Sequence, residues 1–542
     1  MCFLVISYAF GYRFNFQSKV LIRSGTLTLK PTPQKVQILL DGKKIKKKSY
    51  DIINDSYSIH GLRPGNYSLK VQAQQHQTWQ KNINIHSGIA TEFWNVFLPQ
   101  TNPEKNRLDI VSPKYYKVSE GGEKIIFSHK LNGPLNVFIY QPKKQSSFLV
   151  YQEPPNREIS AKIQFVEFSA DKSKALITLE ESGQYKYYLA HIDEIEKNGP
   201  NQKNFILLNP AILNIYRNYS QKQPQEDAEP KDIFQPGDSF ELNFSQLPQQ
   251  DMTDQEQPAP TNENTSPTPP SPTPNNSEPS LVNQNSDQKL ELRDFKWLNN
   301  ENFYYLDQNQ RLFLVDLDRS EVRLVLKKIR GFQVSQNHVY FVQAPHNLVF
   351  KSNKFGSDLE QITENLIDQD IQDSVFYKIN VYDDKRIALI NNQNQLYLFN
   401  DNQEEYQIFK KLSDQVISIQ FSDDGKKLLY FNQEEIRVYY LKEWEVQPKN
   451  KVGANLLIFQ SQDENIRNAL WYKNYQHVIF NQENQIKIIE IDQRDQPNLH
   501  QLIQTQISNP DFTYEPNEEL LYFLDQSDYA IQLFNINLPE EE

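Results

Sequence analysis

The chain has 542 residues, 12% of them aromatic, and carries a formal net charge of −12. The aromatic content excludes a wholly disordered chain. The single cysteine, Cys2, excludes an intramolecular disulfide, a thiolate zinc site and a CxxC redox motif. No apolar run reaches the roughly 18 residues that a membrane-spanning helix needs, so a protein that crosses a membrane several times is excluded.

The charge is unevenly distributed along the chain. Residues 1–19 carry a net charge of +2 and residues 20–100 carry +7, so the remaining residues carry −21. The acidic remainder argues against general nucleic-acid binding, which needs a basic surface. The basic part is compatible with an anionic membrane or a wall polymer nearby.

The amino-terminal segment, residues 1–19, includes a largely apolar stretch of nine residues from Cys2 to Phe10, whereas a transmembrane helix needs about 20. The segment lacks the basic flank and the small-residue cleavage site of a signal peptide. One interpretation is the end of a membrane anchor, because the aromatic residues from Tyr8 to Phe16 are typical of an interfacial belt. The alternative is a short apolar strand or helix that packs on the body of the protein.

Residues 20–99 predict a small β module. Asp41-Gly42 follows an apolar strand and predicts a hairpin, since glycine tolerates a positive φ. Pro64 and Gly65 fit the two central positions of a type II turn. The residues from Tyr67 to Val71 then alternate between apolar and polar, which indicates a half-buried strand.

This stretch resembles a PEGA domain, a small β-sandwich found mainly in prokaryotic surface and envelope proteins. The resemblance lies in the pattern from Pro33 to Gly42, in the turn Leu62-Arg63-Pro64-Gly65 and in Trp79, over about 75 residues. The sequence departs from the family after Pro33, where Gln34-Lys35-Val36 stands in place of Glu-Gly-Ala. The resemblance implies an envelope-associated adhesive or spacer module without a reaction of its own.

Two groups of side chains in the module raise the question of binding. The lysines Lys43, Lys44, Lys46, Lys47 and Lys48 either face an anion or keep a hairpin edge soluble, and we favour the second interpretation. His60, His76 and His86 lie on different segments without carboxylates at ligand spacing. We therefore interpret them as scattered strand histidines and predict no metal site.

A repeated unit extends over residues 105–538. Each copy begins with an apolar or aromatic anchor, continues through a polar turn and enters a strongly apolar strand. The anchors are Val118, Phe168, Trp297, Val334, Val381, Phe421, Trp471 and Tyr514. Six of the seven steps between them fall near the roughly 40 to 50 residues of a propeller blade.

The copy FSDDGKKLLYF, which begins at Phe421, resembles the FSPDGxxL hairpin of TolB-like and WD-repeat-like β-propellers. The other copies are degenerate, so no narrower family is indicated. The fold class is therefore all-β, with a β-sandwich module at 20–99 and a propeller of eight blades, or alternatively seven. Blades 1–2 are predicted at 105–218 and blades 3–8 at 290–538. The last unit has only three apparent strands, and the segment Asn106–Ser112 could complete it.

The long step between Phe168 and Trp297 contains an insertion at 219–289. Residues 221–280 contain 12 of the 30 prolines, and 265–280 read TSPTPPSPTPNNSEPS. Such a composition has almost no core-forming side chains and predicts a disordered or extended loop. A tolerated surface insertion explains it better than a wall-spanning or partner-binding role.

Signals of catalysis are nearly absent, and we predict no catalytic residue. The sequence has no GxSxG, GxxxxGK[ST], GxGxxG or HExxH motif and no zinc-ligand spacing. Asp383-Asp384 and Asp423-Asp424 are interpreted as turn residues, since aspartate bonds to the local backbone there. Trp297 and Trp471 are predicted to be core residues. Four further groups are given no catalytic role, namely His338 with His346, Glu180-Glu181, Glu434-Glu435 and Glu540–Glu542.

The sequence therefore predicts a non-catalytic binding or scaffold protein at the cell membrane or envelope, with its main body on the extracytoplasmic side. Its expected partners are a protein or an envelope polymer, with membrane contact through the amino terminus. No nucleic acid, metal or small-molecule cofactor is expected, and the residues of the binding site cannot be assigned from one sequence. The alternatives are a propeller hydrolase or lyase that acts on envelope polysaccharide, and a cytoplasmic interaction scaffold.

Overall fold

The structure is a computed structural model. It describes residues 12–15, 20–129, 134–153, 161–181, 183–201, 203–208, 239–241, 292–319, 321–335, 337–364, 367, 375–401, 409–462, 465–528 and 530–538. The rest of the predicted segment 1–19, the insertion 219–289 apart from three residues, and Glu540–Glu542 lie outside them. In the described ranges, no helix has the length and hydropathy that crossing a membrane requires.

The amino-terminal part is a β-sandwich, as the resemblance to PEGA domains implies. Strands β4, β5, β8 and β9 form one four-stranded sheet in the order β5-β4-β8-β9, and the other has the order β10-β3-β7-β6. A separate hairpin, β1-β2, precedes them. The strands are β1 (Tyr12–Asn15), β2 (Val20–Arg23), β3 (Gly25–Thr32), β4 (Gln37–Leu40), β5 (Lys43–Lys44), β6 (Ser49–Asp51), β7 (Ser56–Leu62), β8 (Gly65–Gln72), β9 (Trp79–Ile85) and β10 (Ala90–Phe97).

Turn geometry fixes the register of the module. Asp41 and Gly42 have φ values of 48° and 75°, and Leu40 pairs with Lys43, so the predicted hairpin is present. Gly65 also lies at the predicted turn but has a φ of 149°. A type II turn needs a φ near about 80° there, so the predicted turn type is wrong while its place is right. One apolar core joins the two sheets.

The rest of the described chain forms eight sheets, each of which we call a blade. Blades 1 to 4 consist of β12 (Pro113–Val118), β13 (Ile125–His129), β14 (Asn136–Gln141) and β15 (Ser146–Gln152); β16 (Lys162–Phe168), β17 (Lys174–Glu181), β18 (Gln184–His191) and β19 (Phe205–Leu207); β20 (Ser239–Glu241), β21 (Leu292–Trp297), β22 (Asn302–Asp307), β23 (Arg311–Asp316) and β24 (Glu321–Lys327); and β25 (Ile329–Ser335), β26 (His338–Gln343), β27 (Leu348–Asn353) and β28 (Glu360–Gln361). The described helices are a 3₁₀ turn at Glu120–Gly122 and α1 (Ile192–Asn198) in blade 2.

Blades 5 to 7 follow in chain order, and blade 8 combines both ends of the repeat region. Their strands are β29 (Tyr377–Asp383), β30 (Arg386–Asn391), β31 (Leu396–Asn400) and β32 (Lys410–Ser413); β33 (Ser418–Phe421), β34 (Lys427–Phe431), β35 (Glu435–Tyr440) and β36 (Asn455–Gln460); β37 (Ile466–Trp471), β38 (His477–Gln482), β39 (Gln485–Glu490) and β40 (Leu499–Gln504); and β41 (Phe512–Glu515), β42 (Leu520–Ser527) and β43 (Ala530–Asn537) with β11 (Asn106–Val111).

The blades pack face to face in a closed ring. Each apolar cluster between sheets joins two neighbouring blades, so blade 1 contacts blade 2 and the series continues until blade 8 contacts blade 1. A single sheet cannot bury both of its faces, and this stacking buries them all. The fold is therefore a β-propeller, as the repeat pattern predicts.

The predicted closing strand is present in blade 8. Strand β11 pairs with β43, the last strand of the chain, in an antiparallel manner. The Nζ of Lys105 also lies 2.7 Å from Asp525 Oδ2, and the backbone N–H of Ser112 donates to the carbonyl of Ile531 at 2.6 Å. The first strand of the repeat region thus completes the sheet that the last three begin.

Each sequence anchor lies on one strand of its blade, which we call the anchor strand. The anchor strands are β12, β16, β21, β25, β29, β33, β37 and β41. Trp297 donates its indole N–H to the carbonyl of Glu167 in blade 2 at 3.1 Å, and Trp471 donates to Gln420 of blade 6 at the same distance. Trp471 is buried, as predicted, whereas Trp297 is only half-buried against the core between blades 2 and 3. The two tryptophans occupy equivalent places and tie neighbouring blades together.

Part of the predicted disordered insertion has a regular structure. Ser239–Glu241 forms the strand β20, which pairs with residues Glu321 to Arg323 at the edge of blade 3. An edge strand leaves backbone N–H and C=O groups unpaired, and an extended segment can satisfy them. An extended conformation agrees with the prediction of a disordered or extended insertion, but composition does not reveal which sheet edge such a segment pairs with.

The module packs against blade 7 through a buried ion pair. The ammonium of Lys81 lies 2.6 Å from Glu490 Oε1, and both side chains are almost wholly buried, at 0% and 4% exposure. Lys81 also donates to the carbonyls of Asp492, Arg494 and Gln496 at 2.7 to 3.1 Å. All the hydrogen-bonding capacity of this ammonium is therefore used.

The same contact covers the free edge of strand β9. Trp79 donates its indole N–H to Glu490 Oε2 at 2.8 Å. Backbone groups of Gln80 and Asn82 bond to the side chains of Asn498 and Asp495. The segment between β39 and β40 thus closes an edge that would otherwise attract another strand.

Candidate functional site

The strand of each blade that carries the sequence anchor lies next to the propeller channel. The side chains of this strand alternate in environment. In β21, Phe295 is buried between blades, while Asp294 and Lys296 are half-buried. In β29, Ile379 is buried, while Lys378 is exposed and lines a cavity. This alternation is the period of two expected for a strand, so the residue just before each anchor faces the channel.

These channel positions change in character around the ring. The residues that precede the eight anchors are, in chain order, Lys117, Glu167, Lys296, Gln333, Asn380, Gln420, Leu470 and Thr513. Charged side chains come from blades 1 to 3 and amides from blades 4 to 6. Blades 7 and 8 contribute a leucine and a threonine. The charged and amide positions therefore occupy one continuous part of the channel wall.

A cavity of about 790 Å³ occupies this part of the channel. Blades 2 to 5 supply most of its lining, including Phe165, Lys296, Gln333, Lys378 and Asn380. Ligand sites commonly have volumes of about 300 to 1,000 Å³ and combine apolar walls with a few polar groups. The cavity has the size and the composition of a binding site for a small ligand or a short segment of a polymer.

The lysines of the channel are not neutralised by the carboxylates near them. Burial lowers the pKa of Lys378, and the charge of Lys296 lowers it further, against the opposing effect of Asp294. Burial also lowers the pKa of Lys117, which Glu167 raises and Lys296 lowers. Lys117 and Lys378 nevertheless expose their side chains to the channel. An anion entering the channel would relieve these positive charges.

The channel carboxyl groups are shifted towards their neutral forms. Burial raises the pKa of Glu167 to about 7, with Lys296 opposing and Asp294 adding to the rise. Burial likewise raises the pKa of Asp294, although Lys296 and Lys378 lower it. Protonation of either group increases the net positive charge of the cavity, so acidification favours an anionic ligand.

Two polar atoms along the channel wall are unsatisfied. In the part of the chain that the structure describes, Glu167 Oε2 and the amide nitrogen of Asn380 are buried without a hydrogen-bond partner. Buried polar groups in proteins are nearly always satisfied, so exceptions call for an explanation. A bound ligand with polar groups would satisfy both atoms.

Close approach of two strands shapes one wall of the cavity. A Cβ at Gly331 in β25 would lie 2.0 Å from the carbonyl oxygen of Tyr377 in β29. Only glycine permits the first strands of blades 4 and 5 to come this close. The approach places Gln333 and Lys378 on the same wall.

The histidines considered in the sequence lie apart from the channel cavity. His60 bonds to Thr26 and Ser49 within the module at 3.3 and 3.2 Å, and His76 bonds to the carbonyl of Gln74. His86, His338 and His346 are exposed. A search of the described ranges for three or more His, Cys, Asp or Glu side chains able to hold a metal ion found none.

The side chains of two of the four paired aspartates, Asp383 and Asp424, bond to the local backbone as predicted. Asp424 accepts hydrogen bonds from Ser422 and from the backbone N–H of Lys426, and Asp383 accepts from the N–H of Lys385. Asp423 accepts through its backbone carbonyl from Tyr382.

The side chain of Asp384 bonds to a neighbouring blade and not to its own turn. Its carboxylate accepts from Tyr340 at 2.6 Å and from Lys351 at 2.9 Å, both in blade 4. It therefore connects two blades, because the turn at the end of β29 projects towards the preceding sheet.

Sequence reasoning did not find the channel cluster as a site. Lys117, Lys296 and Lys378 come from three blades and share no motif. The sequence signal that could have found these lysines is their position relative to the anchors. The residue before each anchor, and the residue two places before that one, alternate with the buried side chains and therefore face the channel. The interface pair Lys81 and Glu490 had no comparable signal, because one residue lies in the module and the other in blade 7.

No protein-family model matches the chain, and no curated protein sequence matches it. The resemblance to PEGA domains therefore has no support from that comparison. Similar solved structures include the C-terminal WD40 domain of Sif2, at 8% identity and a TM-score of 0.44 over 80% of this chain and 99% of that one. The Dos1 propeller has 6% identity and a TM-score of 0.42, over 80% and 95% of the two chains.

An oligogalacturonate lyase from Vibrio parahaemolyticus is also similar, at 10% identity and a TM-score of 0.36, over 81% of this chain and 95% of that one. At these values the functions of the neighbours have no bearing on this chain. What the comparisons leave in place is the fold that the sheets themselves define, a β-propeller.

Proposed function

We propose that this protein is a non-catalytic binding scaffold of the cell envelope, and that its propeller channel binds an anionic, extended ligand. The observation that carries the proposal is the cavity of about 790 Å³, in which Lys296 and Lys378 raise the positive charge above what Asp294 balances. The carboxylates of a protein segment or of an acidic envelope polymer would fit this charge. The unsatisfied amide of Asn380 adds a neutral hydrogen-bond donor.

Two features support the envelope as the place of this function. The module carries a net charge of +7 over residues 20–100, in a chain whose remaining part is strongly acidic. The module also resembles PEGA domains in its turns and in Trp79, and that family occurs mainly in surface and envelope proteins. The buried pair Lys81–Glu490 holds the module on blade 7, so an attached module would position the propeller.

Ligand binding at the channel is tested by fluorescence anisotropy with two labelled probes, a hexaglutamate peptide and a hexauronate oligosaccharide. We expect the full chain to bind at least one of them, more tightly at pH 6 than at pH 8. The double change Lys296→Gln with Lys378→Gln should weaken binding at least about 100-fold, because each of the two charge-assisted contacts contributes about 1.5 to 3 kcal/mol.

The matched control for this test is Lys385→Gln with Lys449→Gln, which removes two exposed lysines far from the cavity lining. The control should bind as the wild type does. Equal loss in both variants would assign the binding to overall charge, and absence of binding to either probe would contradict the channel as an anion site. A preference for one probe separates a protein partner from a polymer.

The location is tested by protease treatment of intact cells, followed by blotting for the propeller. Cleavage within 219–289 without lysis is expected, because a protein of the outer side is accessible there. Complete protection that ends only on lysis would contradict the envelope location for a cell with one membrane. The result would then favour a cytoplasmic scaffold.

A second candidate function is a hydrolase or lyase that acts on envelope polysaccharide. The observation in its favour is that carboxyl and aromatic side chains meet in the channel. Glu167, on the anchor strand of blade 2, has a pKa of about 7, which suits a general acid or base. Phe165, two residues earlier on that strand, lines the cavity together with Tyr185 and the carboxyl group of Asp294. Turnover of an acidic polysaccharide that Glu167→Gln abolishes, with binding retained, would establish this function over the first.

A further inference from the structure

The segment Lys43–Ile53 lies on the side of the module that faces away from the propeller. The propeller contacts come from β9 and β10, each of which is an edge strand of its sheet. The opposite edges are β5 and β6. The segment Lys43–Ile53 includes both of these strands and connects them, so we name it the distal edge.

Positive charge is concentrated on the distal edge. Lys43, Lys44, Lys46 and Lys47 are all exposed. Burial lowers the pKa of the fifth lysine, Lys48, and the charge of Lys44 lowers it further, which shows that like charges lie close together here. The predicted role of these lysines as a soluble hairpin edge explains their exposure but not their density.

The nearby carboxylates are occupied with the local backbone and side chains. Asp41 accepts from the N–H of Ser68 at 2.9 Å. Asp51 accepts from the N–H of Ile53 and from the amide of Asn54, at 3.0 and 2.7 Å. These carboxylates shape the turns on either side and leave the lysines available for an external anion.

Two apolar side chains project from the tip of the distal edge. Ile52 and Ile53 form the turn between β6 and β7 and are 80% and 91% exposed, while Tyr50 beside them is 41% exposed. Turns normally consist of Gly, Asn, Asp, Ser or Pro, and isoleucine fits them poorly. The hydrogen bonds that Ile53 and Asn54 donate to the carboxylate of Asp51 nevertheless hold this turn in place. The fold therefore presents two large apolar groups to the surroundings in a fixed conformation.

We propose that the distal edge docks on an anionic phospholipid bilayer, with Ile52 and Ile53 inserted at the level of the headgroups and the four exposed lysines on the lipid phosphates. Lysines alone would suit any polyanion, and exposed isoleucines alone would suit an apolar groove. A bilayer has an anionic surface with an apolar layer beneath it and accepts both. The proposal rests on the envelope association proposed above and is independent of the channel.

The test is cosedimentation of the full chain with vesicles of phosphatidylcholine, alone or mixed with phosphatidylglycerol. Binding is expected only to the mixed vesicles, and it should weaken as salt is added. Changing Lys43, Lys44, Lys46 and Lys47 to glutamine should weaken it at least about 100-fold. Ile52→Ser with Ile53→Ser should weaken it about 10-fold and leave the salt dependence unchanged.

Matched controls come from exposed residues of the propeller. The four lysines Lys143, Lys385, Lys449 and Lys451 are changed to glutamine, and Leu359, which is 61% exposed, is changed to serine. Both controls should bind as the wild type does. Insertion is read directly from quenching of an Ile53→Trp variant by brominated lipid, with Leu359→Trp as the variant that should not be quenched.

Several outcomes would overturn the proposal. One is the absence of binding to phosphatidylglycerol vesicles at low salt. Another is loss of binding in the lysine variant but not in the isoleucine variant, with equal competition by soluble polyphosphate, which would assign the distal edge to an anionic polymer. A dimer of the wild type that the isoleucine variant abolishes would assign the edge to a second copy of the chain.

The channel and location experiments separate this proposal from the function on which it rests. Vesicle binding without protease accessibility on intact cells would retain the bilayer but contradict the outer location. Accessibility without vesicle binding would retain the envelope and contradict docking by the distal edge. The channel test depends on the loss caused by changing Lys296 and Lys378, which lie in the propeller and not in the module, so that loss leaves the vesicle result unaffected.

Discussion

Lysines meet carboxylates in two buried regions of this protein, and the two regions are built differently. At the module interface, the ammonium of Lys81 contacts Glu490 and three backbone carbonyls, and Glu490 in turn accepts from Trp79 and Asn498. In the channel, burial and neighbouring charges shift the pKa values of two lysines and two carboxyl groups, while Glu167 Oε2 lacks a hydrogen-bond partner.

The difference separates a structural role from a binding role. A buried ion pair is held only when every donor and acceptor has a partner, because desolvation otherwise outweighs the attraction. The interface pair meets that condition and fixes two domains together. The channel group does not meet it, and its unsatisfied charges remain available for an incoming ligand. Residue type alone would not have distinguished the two regions.

The largest expected effect comes from breaking the interface pair. Lys81→Met leaves Glu490 buried without its partner and should lower the free energy of unfolding by about 3 to 5 kcal/mol. The measurement is urea denaturation followed through tryptophan fluorescence. The double change Lys81→Met with Glu490→Leu should recover part of this loss, because it leaves no uncompensated charge although Trp79 and the three backbone carbonyls still lose their partners. Equal losses in the single and the double variants would contradict the role of the ion pair.

Acid should lower the stability of the folded protein through two buried histidines of blade 7, one of which contacts the module. Burial lowers the pKa of His477, which contacts Phe97 of the module, to about 3, and that of His500 to about 4. Unfolded histidine has a pKa near about 6.5, so the unfolded chain binds more protons below that pH and stability falls on acidification.

The expected loss between pH 7 and pH 4 is about 3 kcal/mol for each histidine. His477→Gln should remove its share, so that unfolding of this variant depends less steeply on pH than that of the wild type. The measurement is the urea midpoint at a series of pH values. His338→Gln, which changes an exposed histidine, should leave the pH dependence unchanged.

The channel should respond to pH in the opposite direction. The pKa of Glu167 is raised in the folded protein from an ordinary value of 4.5 to about 7, so its contribution to stability is present below pH 4.5 and is lost as the pH rises through 7. We expect about 1 to 3 kcal/mol, since water in the channel reduces the effect.

Glu167→Gln should therefore gain stability relative to the wild type as the pH rises from 5 to 8. The measurement compares the urea midpoints of the two proteins at each pH, and Glu434→Gln, at an exposed turn, is the control. A constant difference between wild type and Glu167→Gln over this range would contradict the raised pKa.

The fold was predictable because its signals are local and repeated. Each anchor, from Val118 to Tyr514, precedes a turn and an apolar strand, and this spacing predicts a blade without knowledge of its neighbours. The closing strand Asn106–Val111 followed from the same pattern, because the last unit lacked one strand. The pairing of β20 was missed, since edge pairing at blade 3 depends on the folded position of a segment with no apolar periodicity.

The candidate site was less predictable because it combines residues from distant repeats. Lys117 and Lys378 come under the influence of the charge of Lys296 only when the ring is closed, and burial within the closed ring lowers the pKa of both. The sequence placed each of them one or three residues before an anchor, which marks the channel wall but not a cluster. The distal edge was visible as a lysine run, whereas the exposure of Ile52 and Ile53 depends on the turn that holds them.

The order of synthesis gives the docked module a further consequence. The module leaves the ribosome before the propeller, but Trp79 and its partner Glu490 are separated by 411 positions along the chain, and Lys105 and Asp525 by 420. Contacts of such long range form late and slowly. Until Glu490 has been made, Lys81 has no carboxylate to meet and strand β9 has an open edge. A chain whose synthesis stops early therefore leaves the edge of β9 exposed in its module, where a chaperone or protease can recognise it.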